Sequence, residues 1–82
     1  MKTKVDFLAN NQVIIYTDNS VLFQSYNSVI AKIENGTTFL DENKWDYSKT
    51  TGKYRNIFLG ETKQETEKKI NSGVYKLINL NN

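Results

Sequence analysis

The chain contains no cysteine and no histidine. Disulfides, thiolate nucleophiles and thiolate zinc sites are therefore out of reach, as are the commonest general base and the commonest nitrogen ligand for metals. The missing thiols also agree with a reducing cytoplasm. Only four glycines occur, singly at positions 36, 52, 60 and 73, so no glycine-rich loop cradles a phosphate. A Ser-x-x-Lys pair is lacking too. The longest apolar run is Val13-Ile14-Ile15-Tyr16, far short of the roughly 20 residues of a membrane-spanning helix. The opening residues, Met1 to Asp6, are basic but carry no apolar stretch, so no secretory signal is read there. The carboxylates that remain (Asp41 with Glu42, Asp46, and Glu61 with Glu65 and Glu67) fall at turns or on a mixed-charge helix, and Asp41-Glu42-Asn43 lacks the glycine and distal glutamate of a calcium loop. The expectation is a protein that is not an enzyme and uses no metal and no cofactor.

What is present is one small domain spanning residues 1–82, too short for a second core. Eleven cations stand against nine acids, so the net charge of +2 is no strong field, and an electrostatic argument must rest on local clustering. Ten of those cations are lysine, and eleven residues are asparagine, a bias that points to an A/T-rich coding genome.

The first half is rich in Val, Ile, Phe and Tyr, in runs of four to seven residues parted by polar pairs. Strands are placed at about 4–8, 12–17, 20–25, 28–34 and 37–41. The separators Asn10-Asn11, Asp18-Asn19, Tyr26-Asn27 and Asn35-Gly36 suit two-residue hairpin turns, because Asn, Asp and Gly tolerate positive φ. Asn35-Gly36-Thr37 also matches a glycosylation acceptor, and a hairpin turn is the reading taken. Two-residue turns throughout would put Leu8, Val13, Ile15, Leu22, Val29, Ala31, Ile33 and Leu40 on one face. Val5, Phe7, Ile14, Tyr16, Val21, Phe23, Ile30 and Phe39, with Lys32, would share the other. Both faces are then apolar, so something must cover each, or the sheet must curl.

After residue 45 the period changes. Asp46 or Ser48 suits a helix N-cap, and Tyr47, Thr51, Tyr54, Ile57 and Phe58 form one helical face, expected to be core. Gly60 stands where a left-handed C-terminal residue is wanted. Gly52 in mid-helix costs about 1 kcal/mol against Ala, and either a close backbone approach or a frayed first turn would account for it. A second helix begins at Thr62, where Thr62-Lys63-Gln64-Glu65 fits the capping box. Gly73 ends it, Val74 to Ile78 reads as a last strand, and the Asn-rich tail is expected to be loose. The predicted fold is α+β: an antiparallel meander of about four or five strands, helices over about 47–59 and 63–72, and a strand over 74–78.

The block from Lys44 to Arg55 holds four cations against the single acid Asp46, together with the only Trp and the only Arg. Lys49, Lys53 and Asn56 recur at i, i+4 and i+7, opposite the apolar stripe, with Lys44 and Arg55 flanking. Such a strip suits phosphates or an acidic protein surface; the alternative is an ordinary solvated helix face. Trp45 and Tyr47 are candidates to anchor a partner, or to close the corner between sheet and helix. The helix–Gly60–helix unit does not fit a DNA-reading helix-turn-helix well, because the basic charge lies on its first helix.

Trp45-Asp46-Tyr47-Ser48, Thr50-Thr51 and Phe58-Leu59 resemble a block in small uncharacterised proteins of bacteriophages and low-GC Gram-positive bacteria. Ile30-Ala31 and Leu40-Asp41 upstream, and Glu67-Lys68-Lys69-Ile70 downstream, extend the likeness over roughly residues 26 to 80. The resemblance implies a phage or mobile-element origin and a bacterial host cytoplasm, and it transfers no functional residue. By analogy, small phage proteins without catalytic groups often bind and inhibit host machinery, including defence nucleases. The expected function is therefore a non-enzymatic binding protein that occupies a site on a host protein or nucleoprotein through Lys44, Trp45, Tyr47, Lys49, Lys53, Arg55 and Asn56. Direct nucleic-acid binding by the same helix, and a structural homodimer through an apolar sheet face, are the alternatives. No membrane partner is expected.

Overall fold

The structure, a computed structural model, describes residues 3–81. Met1, Lys2 and Asn82 lie outside the described residues, and with them the first part of the basic N-terminus and the last residue of the tail. Five strands follow one another as an antiparallel meander: β1 (Lys4–Ala9), β2 (Gln12–Tyr16), β3 (Ser20–Ser25), β4 (Ser28–Glu34) and β5 (Thr37–Asp41). Two helices, α1 (Lys49–Leu59) and α2 (Lys63–Asn71), then cross over, and β6 (Tyr75–Ile78) returns to pair parallel with β5. The α+β class, the six strands and both helices agree with the sequence expectation.

The turns form for the anticipated reason. Asn11, Asn35 and Gly36 all have positive φ, at 63°, 53° and 77°. Tyr26 does so as well, at 57°, and its backbone N–H donates to Asn11 O at 2.7 Å. At Asp18-Asn19 the closure is made instead by Thr17 and Ser20, whose backbones pair at 2.9 Å and whose hydroxyls meet at 2.7 Å.

The face assignment needs correction. The β2–β3 and β4–β5 hairpins keep the two-residue register, with Ile15 opposite Leu22 and Lys32 opposite Phe39. The other two hairpins each carry a bulge. Phe7 sits opposite Val13 with Leu8 as the extra residue, and Phe23 sits opposite Ala31 with Ile30 as the extra residue. A single inserted residue inverts side-chain parity beyond it. Ala31, Ile33 and Leu40 thereby join Ile14, Val21 and Phe23, while Val5, Phe7, Lys32 and Phe39 move to the face of Val13, Ile15 and Leu22.

The helices cover the Phe23 face. Phe23, Ile30, Ala31, Leu40 and Tyr75 are buried there, with Leu8, Trp45, Tyr54, Phe58, Leu59 and Ile70 packed against them. Phe58 stacks on Phe23 with ring centroids 5.7 Å apart. Opposite them, the face of Val13 and Ile15 has no layer over it among the described residues.

Local signals set the helices. Ser48 caps α1, its Oγ accepting from Thr51 N at 3.1 Å, and Gly60 ends it in the left-handed region at φ 69°. At α2 the capping box is complete: Thr62 N donates to Glu65 Oε1 at 2.8 Å and Glu65 N to Thr62 Oγ1 at 3.2 Å. The expected loose tail is pinned as far as it is described. Leu80 N donates to Asp41 Oδ1 at 2.8 Å, and the Asn81 side chain both accepts from Val29 N (2.6 Å) and donates to Val29 O (2.9 Å). Val29 lies just before the bulge in β4, beyond the reach of β5, so its free backbone groups take a side-chain amide instead. Burial pushes the Asp41 carboxyl up, but hydrogen bonds from Leu80 N, Asn43 N and the Asn81 amide hold it below the usual carboxylate range.

Candidate partner-binding surface

The seven residues singled out from the sequence divide into two groups. Arg55 is not on the surface: it is 1% exposed. Its Nη1 donates to Trp45 O at 2.7 Å and to Asp46 Oδ1 at 3.1 Å, and its Nη2 donates to Asn56 Oδ1 at 2.9 Å. The guanidinium also lies 5.1 Å from the centroid of the Trp45 ring. A planar fork with five donors satisfies these three acceptors together, which a lysine ammonium could not do in the same plane. Trp45 is half-buried against the core and Asn56 is held by the same guanidinium. These three residues close the corner between β5 and α1, and Arg55 is corrected from a flanking surface cation to its inner tie.

Asp46 links this tie to α2, because its Oδ2 accepts from Lys63 Nζ at 2.7 Å. Burial raises the Asp46 carboxyl, and the hydrogen bonds and charges of Lys63 and Arg55 more than reverse that, leaving it below its ordinary value. Lys63 is raised in turn, first by its hydrogen bond to Asp46. Gly52 lies under this pair. A Cβ there would stand 3.5 Å from Asp46 Oδ1 and 3.7 Å from Arg55 Nη1, which is ordinary contact, so a methyl fits and a larger side chain would displace the tie. Deeper still, Thr51 Oγ1 meets Ser25 Oγ at 2.9 Å, fixing the first turn of α1 to β3.

Another enclosed charge was not singled out from the sequence. The Glu61 side chain is 5% exposed. It accepts from Thr66 Oγ1 at 2.6 Å, Lys69 Nζ at 2.7 Å and Tyr75 OH at 2.9 Å. Burial raises its carboxyl, and these three donors more than reverse that, leaving it below its usual value. Tyr75 is shifted up, by burial and then by Glu61. One sequence signal was available: Glu61 directly precedes the capping box, three residues after the apolar face of α1 ends.

The second group faces solvent. Lys49 and Lys53 are exposed and make no ion pair among the described residues. Lys53 Nζ lies 5.2 Å from the centroid of the Tyr54 ring, and Lys44 Nζ the same distance from that of Tyr47. Tyr47 is 44% exposed and Ile57 lies open as well, so neither joins the core face expected of them, whereas Thr51, Tyr54 and Phe58 do. Between α1 and the start of α2 lies an open concavity of about 490 Å³. Lys49, Lys53 and Lys63 stand around it, with Asp46, Arg55 and Asn56 also lining it. Lys63 was missed because only the return of α2 brings it beside α1. Chemically the arrangement is a rigid, locally cationic recess with flexible ammonium groups at its rim, suited to hydrogen-bonding an anionic partner. Among the described residues no group of three carboxylates is placed to hold a metal ion, and no helix is long and apolar enough to cross a membrane.

Fold and surface together define a two-layer α+β domain with one layered face, one open face and a basic corner. By sequence the chain belongs to a family of unknown function (DUF8033), whose profile matches residues 1–73. No curated protein and no solved structure matches it.

Proposed function

We propose that the protein is a small non-enzymatic binding protein, phage-encoded, that acts in the cytoplasm of a bacterial host by occupying a site on a host protein or nucleoprotein. A defence nuclease is the kind of target that fits, since such a protein presents either acidic surface or bound phosphates to a cationic competitor. The observation that carries the reading is the pair Lys49 and Lys53, unpaired among the described residues, beside a recess whose wall is fixed by the Arg55–Asp46 tie. A frame that does not rearrange confines the ordering cost of docking to the lysine side chains themselves. Tyr47, open beside Lys44, is the aromatic anchor. Trp45, Arg55 and Asn56 support the surface from within.

The test is affinity capture from host lysate with the wild type and with Lys49→Glu/Lys53→Glu. A partner retained by the wild type, lost by the charge reversal and accompanied by an unchanged circular-dichroism spectrum supports the reading. Equal retention by both removes it.

Tyr47 beside Lys44 also favours a second reading, direct binding of nucleic acid, since an open aromatic next to a cation suits base stacking. That reading requires affinity to fall steeply with salt as counterions are released. A mobility-shift titration with no retarded band at low salt excludes it.

A further inference from the structure

The open face of the sheet is apolar in a way that a lone copy does not explain. A transverse row runs Val5, Ile15, Leu22, Lys32, Phe39 and Lys76 across all six strands, and a second row runs Phe7, Val13, Gln24 and Val29. The edge strand β1 is the most telling. Its polar residues Lys4 and Asp6 point to the helix side, where they form a solvent-exposed ion pair at 3.9 Å. Its apolar residues Val5 and Phe7 point to the open side, where Phe7 is 74% exposed. Strand alternation normally puts apolar residues toward a covering layer and polar residues toward water. On β1 the polar residues therefore face the helix side and the apolar ones the open side, so the open side is the one patterned for cover.

We propose that the cover is a second copy of this chain, two sheets packing face to face through Phe7, Val13, Ile15, Leu22, Val29 and Phe39. The charges on the face select this occupant. Lys32 is paired internally with Glu34 at 3.5 Å and lies over the Phe39 ring, and Lys76 sits at the β6 edge. The face thus offers little to a charged partner and sets no strong like-charge repulsion against itself. Its size is sufficient. Six strands about 4.8 Å apart and about five residues long project to roughly 500 Å², and side-chain relief brings the accessible area toward the roughly 800 Å² per partner of a stable interface. Pairing through the free edge of β1 is the less suited route, because the bulge at Leu8 and the Lys4–Asp6 pair blunt that edge. This interface lies on the layer opposite the lysines of α1 and stands apart from the proposed partner surface.

Sedimentation equilibrium of the full chain, from low micromolar to near-millimolar concentration, tests the proposal. The expected mass is twice the 9.5 kDa of one chain. Leu22→Lys, at the centre of the face, and Phe7→Glu, at its exposed rim where folding is not at risk, are each expected to weaken dimerisation, the central change by about a hundredfold or more. Lys49→Glu/Lys53→Glu is expected to leave the dimer intact. A wild type that stays monomeric throughout overturns the proposal and leaves the face to a different partner. A dimer that survives both sheet variants, or that falls apart on reversal of the α1 lysines, also overturns it by placing the interface elsewhere.

Discussion

Arg55 and Lys53 stand two residues apart on one helix and carry the same formal charge, yet they belong to opposite regions of the molecule. Arg55 is enclosed by Trp45 O, Asp46 and Asn56. Lys53 stands in water with the Tyr54 ring near its ammonium. The difference teaches that a cationic cluster in a sequence is not a cationic surface in the fold. The two sides of α1 divide the Lys44–Asn56 block into a frame and a contact strip, and the frame uses the residues that are chemically most distinctive.

The sharpest break of this comparison is Arg55→Ala. It leaves Asp46 with Lys63 alone and strands the Trp45 carbonyl, and a loss of about 3 kcal/mol in urea unfolding is expected from emptying a buried side chain's space and leaving its acceptors without a donor. Glu61→Ala extends the comparison to a buried carboxylate. Thr66, Lys69 and Tyr75 lose a shared acceptor, and a loss of about 2 kcal/mol is expected by the same measurement.

Acid strikes the frame as a whole. A carboxyl whose folded pKa lies below its unfolded value contributes stability that is complete above the unfolded value and is lost as pH falls through the folded one. Asp41, Asp46 and Glu61 are all shifted down. Thermal stability is therefore expected to hold from neutral pH to about pH 5 and to decline as pH falls below about 4. A flat melting temperature down to pH 2 would show that these carboxylates are not held as described. The smallest effect on the frame is Ser48→Ala, which removes the α1 cap and is expected to cost about 1 kcal/mol in thermal unfolding.

How far the sequence was legible follows the range of each interaction. Turn signals such as Asn35-Gly36 and caps such as Thr62–Glu65 act within four residues, and they were read correctly. The bulges at Leu8 and Ile30 were not legible, because an extra residue inside an apolar run leaves no local mark while it reverses every face beyond it. The burial of Arg55 was hidden for a related reason. Its acceptors Trp45 and Asp46 lie ten and nine residues earlier, beyond helical neighbours, and helical spacing alone placed Arg55 beside the lysines. Lys63 joins the strip, and Asn81 pins the tail to Val29, only through contacts that the crossover to β6 creates.

The division of the block is tested most directly by one urea titration of Arg55→Lys beside Lys49→Glu/Lys53→Glu. The account predicts that the conservative change at Arg55 lowers the unfolding free energy by about 2 kcal/mol, because an ammonium cannot serve all three acceptors, while reversing both lysines shifts it by less than about 0.5 kcal/mol. An Arg55→Lys protein as stable as the wild type, or a double lysine variant destabilised as much as it, would contradict the division.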